Sequence, residues 1–358
     1  MTKRQRAIHV WMLLLAALTV ACADGSTDDL GASNEPKAPE LEGSELALVS
    51  QTDWKWVGLG ASSEASVALD RWLPNVAYAS SGGGLYVSWT FGEHWTRLEQ
   101  LGGYSVLANP NRPGGAFAFS GSTLVETRNA GLSWQPVSTT LPGRLLAVAP
   151  GNTSVMWAEG SRYLYRSVDH GSTWTGLDFG GPGGCCVKMV ALSEDDIYVS
   201  AVASQLQRSL DGGESWARST FATLYLVGAY DVDQRSPEVV YAGNYLPYGP
   251  TGLRKSSDGL ETWSTPSAAL ANALVTDIAT SPVDGRLYVV TSDNGSTTTS
   301  THLQISTDEG VNFTETSSDA FAGAEVYRVV PHPRLRCVAF ARTSRGLYRT
   351  ANGGGTCR

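Results

Sequence analysis

An eight-residue segment recurs along this chain, and its spacing limits the folds that the chain can adopt. The segment has the form Ser/Thr-x-Asp/Asn-x-Gly-x-x-Trp and is called the tip motif below, with positions numbered 1 to 8. Seven copies begin at residues 88, 127, 167, 209, 256, 306 and 350, so the steps are 39, 40, 42, 47, 50 and 44 residues. A period of this length indicates a repeat fold with one supersecondary unit per copy.

The copies follow the motif to different degrees. Those at Ser167 and Ser209 are complete, whereas others have Thr90 in place of Asp, Leu260 in place of Gly, or Cys357 in place of Trp. The residues that we expect to have a structural role in the tips are Asn129, Gly131, Trp134, Asp169, Gly171, Trp174, Asp211, Gly213, Trp216, Asp258, Trp263, Asp308, Gly310 and Phe313.

Each residue type in the motif has a physical reason to be there. Asp or Asn at position 3 can accept a hydrogen bond from the backbone N–H two residues on, and Gly at position 5 allows a positive φ. The Ser or Thr adds a second local hydrogen bond, and the Trp packs back as an apolar plug. The motif therefore predicts a rigid hairpin tip.

Three short apolar runs precede each tip, with turn residues between them. Examples in one period are LAVAP (146–150), VMWAE (155–159) and YLYRS (163–167). Each period predicts four short strands, with the tip between the third and the fourth. Seven such units predict an all-β, seven-bladed β-propeller, in which radial closure leaves only short sheet edges.

The two ends of the repeat region predict how the ring closes. Only Arg358 follows Cys357, so the last unit lacks a fourth strand. The segment Trp54–Leu59 (WKWVGL) looks like the outer strand that follows the other tips. We therefore expect this N-terminal strand to complete the last blade.

The tips resemble the Asp-box (BNR) repeats of seven-bladed propellers, and the match covers residues 54–358. Relatives with such repeats include sortilin-type receptor domains, photosystem II assembly factors, xyloglucan-cleaving glycosidases and sialidases. The resemblance implies that the boxes are structural parts of the rim, away from an axial site, so the tips are not expected to be active sites.

Residues 1–53 differ in composition from the repeats. Residues 1–21 combine a basic start with a short apolar run, which is the pattern of a secretory signal. Cys22 after Ala21 resembles the bacterial lipobox, which implies its acylation; an ordinary signal peptide cleaved nearby is the alternative. Residues 22–53 hold eight acids and one base, which predicts a flexible tether. We expect an exported protein that is lipid-anchored in the bacterial cell envelope, or otherwise secreted.

Four cysteines remain beyond Cys22, and an even number in an exported protein is consistent with disulfides. Cys337 lies in the second strand of the last blade and Cys357 in its tip, so we predict a bridge between them; two free buried thiols are the alternative. The adjacent Cys185 and Cys186 would form only a strained bridge, and their state stays open.

The sequence carries no catalytic signature. It lacks a Ser/His/Asp order and the HExxH, GxSxG, Walker and dinucleotide-binding patterns, and it indicates no cofactor or metal. Sialidases have six blades and an Arg-Ile-Pro element that Arg71–Pro74 (RWLP) does not match, so that activity is not expected. A glycoside hydrolase would need two facing axial carboxylates; Asp231, Asp277 and Glu325 are candidates, but their spacing does not pair them.

A ligand site is expected at the axis, where loops lead into the inner strands. Long loops on a rigid scaffold commonly carry recognition, although variation in loop length without function is equally compatible with the sequence. The candidate ligand-binding residues are Tyr104, Arg144, Lys188, Asp277, Tyr327 and Arg328 at the heads of inner strands, and Tyr245 and Tyr248 in the loop 244–252.

Composition narrows the function further. Hydrophobic residues make up 42% and charged residues 17%, which excludes a disordered chain. The net charge of -8 argues against a nucleic-acid partner. These features predict a monomeric, non-catalytic binding or assembly platform for a protein or glycan, with membrane contact only through the lipid. The alternatives are a glycoside hydrolase with an axial carboxylate site and a purely structural envelope protein.

Overall fold

The structure is a computed structural model that describes residues 53–60, 66–103, 105–120, 123–139, 141–160, 163–178, 188–200, 205–220, 227–244, 252–293, 300–316 and 318–357. These residues form seven antiparallel sheets, the blades of an all-β propeller. A 3-10 helix at Ser318–Phe321 precedes the seventh blade. Within the described ranges, no helix has the length and hydrophobicity needed to cross a membrane.

The blades follow one another along the chain, and their strands are numbered in chain order. Blade 1 contains β2 (Ser66–Leu69), β3 (Ala77–Ser81), β4 (Gly84–Ser88) and β5 (Thr96–Gly102). Blade 2 contains β6 (Val106–Ala108), β7 (Ala116–Ser120), β8 (Thr123–Thr127) and β9 (Gln135–Ser138). Blade 3 contains β10 (Leu145–Ala149), β11 (Asn152–Glu159), β12 (Leu164–Ser167) and β13 (Thr175–Leu177). Blade 4 contains β14 (Lys188–Ala191), β15 (Ile197–Ser200), β16 (Gln207–Ser209) and β17 (Ala217–Arg218).

The remaining blades include the one that closes the ring. Blade 5 contains β18 (Val227–Val232), β19 (Val240–Asn244) and β20 (Arg254–Ser256). Blade 6 contains β21 (Leu274–Thr280), β22 (Leu287–Ser292), β23 (Thr301–Ser306) and β24 (Thr314–Glu315). Blade 7 contains β25 (Val326–Pro331), β26 (Ala339–Thr343), β27 (Gly346–Thr350) and the N-terminal β1 (Lys55–Gly58).

Blade 5 departs from the predicted four strands. Its sheet has three strands, and the chain after its tip forms a single bridge between Lys255 and Ser264. Pro266 follows two residues later, and a proline cannot donate to a ladder. The fourth strand of this blade is therefore reduced to one residue pair.

Each tip motif makes the turn between the third and fourth strands of its blade. The hydroxyl at position 1 accepts a hydrogen bond from the backbone N–H at position 5 in all seven copies, as in Ser167 with Gly171 at 2.9 Å. Position 5 has a positive φ in every copy, including Leu260 at 87°. The conformation for which glycine was expected is thus kept even where glycine is absent.

The predicted partner of the position 3 carboxylate is wrong by two residues. Asp169 Oδ1 accepts from the N–H of Thr173, four residues on, at 2.8 Å. The N–H two residues on from position 1 donates to the Ser167 hydroxyl instead, at 3.3 Å. The Asp therefore spans the whole turn, and the Ser closes its first half.

The hydrophobic core lies between blades, because both faces of each sheet pack against a neighbour. The position 8 aromatic belongs to these junctions. Trp216 of blade 4, for example, packs against a cluster that contains Trp157 of blade 3 and Ile197 of blade 4. The predicted apolar plug thus joins each blade to the preceding one.

The N-terminal strand closes the ring as predicted. Strand β1 pairs antiparallel with β27, with Lys55 opposite Arg349 and Trp56 opposite Tyr348. Blade 7 is consequently built from residues at both ends of the described chain.

The tip of blade 7 is also assembled from both ends. Trp54 directly precedes the fourth strand, as Trp174 does in blade 3, and packs in the junction between blades 6 and 7. The Oδ1 atom of Asp53 accepts a hydrogen bond from Asn352 at position 3, at 3.0 Å. Trp54 therefore supplies the plug that Cys357 cannot.

The predicted disulfide between Cys337 and Cys357 is present, with a Cα–Cα distance of 6.1 Å. It links Cys337, which lies in the turn before β26 and not in the second strand as predicted, to position 8 of the last tip. The backbone O of Cys337 also accepts from the N–H of Gly353, at 2.7 Å. The end of the described chain is thus fixed to its own blade by covalent and hydrogen bonds.

Candidate functional site

The first strand of each blade lies innermost, and consecutive first strands contact one another, as β18 with β21 and β21 with β25 do. One level of these strands can be compared across all blades. In each blade, motif position 1 pairs with a residue of the second strand; three residues further along that strand lies a second residue, and its partner in the first strand defines the level. In blade 1, for example, Ser88 pairs with Ala77, and Ser80, three residues later, pairs with Ser66. This set is called the axial ring and consists of Ser66, Ser105, Arg144, Lys188, Ala229, Asp277 and Arg328.

Two acidic candidates of the axis serve as links between blades. Asp277 is 7% exposed, and its Oδ2 accepts from the N–H of Val329 in the next first strand at 2.9 Å. Asp231 Oδ2 accepts from both the N–H and the hydroxyl of Thr280, at 2.7 and 2.9 Å. Burial raises the pKa of Asp231, and the nearby Lys188 opposes that rise.

The same linking position in blade 1 carries a neutral side chain. The hydroxyl of Ser66 accepts from the N–H of Val106 in the next first strand at 3.2 Å. Ser66 and Asp277 thus each accept a hydrogen bond from the backbone of the next first strand. This position therefore needs a hydrogen-bond acceptor but not a negative charge. This equivalence favours a structural role for Asp277.

The third acidic candidate, Glu325, is bonded within its own blade. Its Oε2 accepts from the hydroxyl of Tyr327 at 3.1 Å, and its backbone N–H donates to the hydroxyl of Ser344 at 3.0 Å. These contacts connect Asp231, Asp277 and Glu325 to three different partners.

Lys188 occupies the axial ring in blade 4 beside an aromatic ring. Its Nζ lies 5.2 Å from the centre of the Tyr230 ring, and the Tyr230 hydroxyl donates to the carbonyl of Lys188 at 2.8 Å. Burial lowers the pKa of the Lys188 amine; Asp277 and Asp231 oppose this change, whereas the charge of Arg328 adds to it. The charge of this partly desolvated amine is therefore affected by acids of blades 5 and 6 and by an arginine of blade 7.

Arg328 and Tyr327 lie together in blade 7. Tyr327 is the extra residue of a bulge, because the register of β25 against β26 shifts between Val326 and Arg328. Arg328 is exposed and stands directly opposite Arg342, whose guanidinium lies 5.3 Å from the centre of the Tyr327 ring. Arg342 was not a sequence candidate, since only strand register reveals this opposition.

Arg144 differs from the other cations of the axial ring. Its Nε and Nη2 donate to the two carboxylate oxygens of Glu159 at 3.1 and 3.0 Å. Glu159 is its cross-strand neighbour, so this pair neutralises itself. The candidates Tyr104, Tyr245 and Tyr248 lie outside the described residues, as do Cys22, Cys185 and Cys186.

Within the described ranges, one group of potential metal ligands lies close together and consists of Asp284, Cys337 and Cys357. The two sulfur atoms are bonded to each other, so neither is a thiolate that could bind a metal. The cluster is therefore a disulfide beside a carboxylate.

Two cavities lie at blade junctions beside tip motifs. One, of about 520 Å³, is lined by Lys55–Leu59 and Glu93–Trp95. The other, of about 480 Å³, includes Glu126 and His170, whose carboxylate and imidazole are 3.2 Å apart. Neither cavity contains a residue of the axial ring.

No family model and no curated protein matches this chain. Among solved structures, the GH74 enzyme of Niastella koreensis matches with a TM-score of 0.64 and 16% identity, over 84% of this chain and 54% of that one. YCF48 from Cyanidioschyzon merolae matches with a TM-score of 0.60 and 14% identity, over 83% and 98%. YCF48 bound to D1 peptide matches with a TM-score of 0.61 and 15% identity, over 84% and 98%. This chain thus spans about half the length of the GH74 enzyme, and identities this low show the fold alone.

Proposed function

We propose that this chain is a non-catalytic binding platform of the bacterial cell envelope, tethered through lipid on Cys22, with its ligand site at the axial ring. The observation that carries the proposal is the use of the axial acids. Asp231 and Asp277 accept hydrogen bonds from the backbone of the neighbouring first strand. A carboxylate held in this way is suited to joining blades and poorly suited to proton transfer, which requires access to the substrate.

A protein or polysaccharide is the proposed partner class. Propellers of this shape include YCF48, which has been solved with a bound D1 peptide. In the described part of this chain, Lys188 and Arg328 belong to the axial ring, and Tyr327 precedes Arg328 in the bulge of β25. Binding residues are commonly held in this way by a rigid scaffold.

Glycoside hydrolysis is the second candidate, and the similarity to a GH74 enzyme favours it. Such an enzyme needs two carboxyl groups about 5–9.5 Å apart across the scissile bond. The contacts of Asp231 and Asp277 with separate backbone amides argue against this use.

A pair of substitutions at Asp277 separates the two functions. In Asp277→Asn the side-chain oxygen can still accept from the N–H of Val329, whereas Asp277→Ala leaves that amide without its acceptor, at a cost of about 1–3 kcal/mol. The platform function predicts that the wild type binds members of a glycan and peptide panel and shows no turnover in a broad glycan-hydrolysis screen. It also predicts that Asp277→Ala is less stable than the wild type and that Asp277→Asn is not. Turnover that disappears in Asp277→Asn would overturn it, and the absence of any binding would favour a purely structural protein.

The tether has its own test. Cys22→Ala should leave the precursor unprocessed or release the protein from the membrane fraction, because acylation requires the thiol. The distribution of the protein is measured by membrane fractionation and immunoblotting. If Cys22→Ala stays in the membrane fraction as completely as the wild type, lipid anchoring is contradicted.

A further inference from the structure

Blade 7 places two arginines where like charges oppose each other. Arg328 in β25 is the direct register partner of Arg342 in β26. Directly opposed like charges destabilise a sheet. At the equivalent level of blade 3, Arg144 faces Glu159 and forms a two-bond ion pair with it. The same cross-strand position is thus neutralised in one blade and doubly positive in another.

The surroundings strengthen the repulsion in blade 7. Arg342 is half-buried over the ring of Tyr327, and burial lowers its pKa, with the charge of Arg328 adding to that effect. Asp277 opposes this change, but its Oδ2 already accepts from the N–H of Val329. One carboxylate oxygen of Asp277 is therefore already used in a hydrogen bond to the backbone.

A third cation belongs to the same region. Lys188 of blade 4 is in the axial ring with Arg328 and is close enough for the two charges to affect each other. Strand register places Lys188 and Arg328 at the same level of their first strands, with Arg342 directly opposite Arg328. Guanidinium groups bind planar oxyanions through two parallel hydrogen bonds, and an amine adds a point charge.

We propose that Lys188, Arg328 and Arg342, named here the axial cationic cluster, bind a multivalent oxyanion carrying carboxylate or phosphate groups. The anion would relieve the opposition of the two arginines by accepting from both. This inference rests on the proposed binding function and specifies its ligand as anionic.

The test uses citrate and pyrophosphate as carboxylate and phosphate probes, measured by isothermal titration calorimetry at constant ionic strength. Arg328→Ala should weaken the preferred probe about 10- to 100-fold, the loss expected for charge-assisted hydrogen bonds. Arg342→Glu recreates the pairing of blade 3 and should abolish binding while keeping or raising the melting temperature. Arg235→Ala is the matched control, because Arg235 lies outside the axial ring and pairs with Asp233 at 2.6 Å; this variant should bind like the wild type.

Comparison of the two probes identifies the source of the oxyanion. Tighter binding of citrate indicates a carboxylate-bearing ligand, and tighter binding of pyrophosphate indicates a phosphate-bearing one. If Arg342→Glu does not fold, Arg342→Gln removes the charge with less change and carries the same expectation.

Several results would overturn the inference. They are no binding of either probe by the wild type, equal affinities in the wild type and Arg328→Ala, or loss of affinity in Arg235→Ala. Binding of neutral glycans without any anion effect would also overturn it while leaving the platform function intact. Hydrolysis dependent on Asp277 would do the reverse, removing the platform function and leaving the measured anion affinity in place.

Discussion

Replacing Trp54 with alanine tests whether the tip of blade 7 is assembled from two distant segments. Trp54 is 2% exposed, and its ring lies 5.3 Å from the ring of Phe321. A buried Trp removes about 150–250 Å² from water, which at about 25 cal/mol per Å² corresponds to about 4–6 kcal/mol. Because truncations of buried Trp cost about 3–5 kcal/mol, we expect Trp54→Ala to lower the free energy of unfolding by that amount.

Two further substitutions make the test specific. The indole N–H of Trp54 has no hydrogen-bond acceptor, and Phe313 occupies the corresponding position in blade 6. Trp54→Phe should therefore cost less than about 1.5 kcal/mol. Trp56 lies two residues further on, within β1, but is 55% exposed, so Trp56→Ala should change stability by no more than about 0.5 kcal/mol.

Urea unfolding followed by far-ultraviolet circular dichroism is the assay, because its signal does not depend on the number of tryptophans. The slope of the transition should stay constant across the variants, so that changes in midpoint report stability. If Trp54→Ala costs no more than Trp56→Ala, the N-terminal segment does not complete the motif and the reasoning is wrong.

The disulfide, a histidine and a glycine give three more predictions. Replacing Cys337 and Cys357 by alanine should cost about 3 kcal/mol from loop closure over a separation of 20 residues, and intact-mass alkylation should find neither thiol reactive before reduction. The hydrogen bond to Glu126 raises the pKa of His170. The stabilisation of the fold by protonated His170 is therefore complete below the unfolded pKa of about 6.5 and is lost as pH rises through the folded pKa. Urea midpoints measured against pH should show this loss in the wild type and not in His170→Asn. Gly171→Ala should cost about 1–2 kcal/mol in urea unfolding, because φ is +84° there while an added Cβ would make only ordinary contacts.

Controls follow from the same contacts. Gly92 has a φ of +82°, and an added Cβ would lie 2.8 Å from the ring of Phe340, so Gly92→Ala should cost more than Gly171→Ala. Equal costs would contradict the steric argument. Parallel pH profiles of wild type and His170→Asn would contradict the histidine assignment, and labelling of Cys337 without reductant would contradict the bridge.

The repeat period predicted the number of blades, the place of the tips and the closing strand, because each depends on residues that recur at fixed spacing. The role of Trp54 was missed for the same reason. The last copy of the motif ends at Cys357, and Trp54, which completes it, lies at the other end of the domain. A pattern read along the chain does not show a motif that is assembled only in space.

The axial site was predicted less completely than the fold. Lys188, Asp277 and Arg328 share one level because each lies in the first strand of its blade, and the sequence places those strands. Only Lys188 is the first residue of its strand, whereas Asp277 and Arg328 were predicted at strand heads and lie inside β21 and β25. Arg342 and the pairing of Arg144 with Glu159 depend on strand register and on bulges. A shift of one residue would exchange the neighbours that decide whether a charge is paired.

The order of the blades is specified by positions that the tip motif leaves variable. At five of the seven junctions, the residue before position 1 lies against position 4 of the next blade's motif. Glu126 binds His170 across blades 2 and 3 at 3.2 Å, and Lys255 binds Glu309 across blades 5 and 6 at 2.7 Å. Position 4 has a positive φ in all seven copies, namely Phe91, Ala130, His170, Gly212, Gly259, Glu309 and Gly353.

These contacts between neighbouring blades also restrict the size of the side chains that meet there, and a contact of the same kind closes the ring. Gly212 faces Arg166, and a Cβ added to Gly212 would lie 2.8 Å from that guanidinium, so the two positions must be matched in volume. At the closing junction Arg349 of blade 7 donates to the carbonyl of Phe91 in blade 1 at 2.7 Å, and its guanidinium lies 5.7 Å from the centre of the Phe91 ring. The recurring residues therefore build each blade, whereas the variable ones join it to its neighbour, and blades 7 and 1 meet through a contact of the kind used inside the ring.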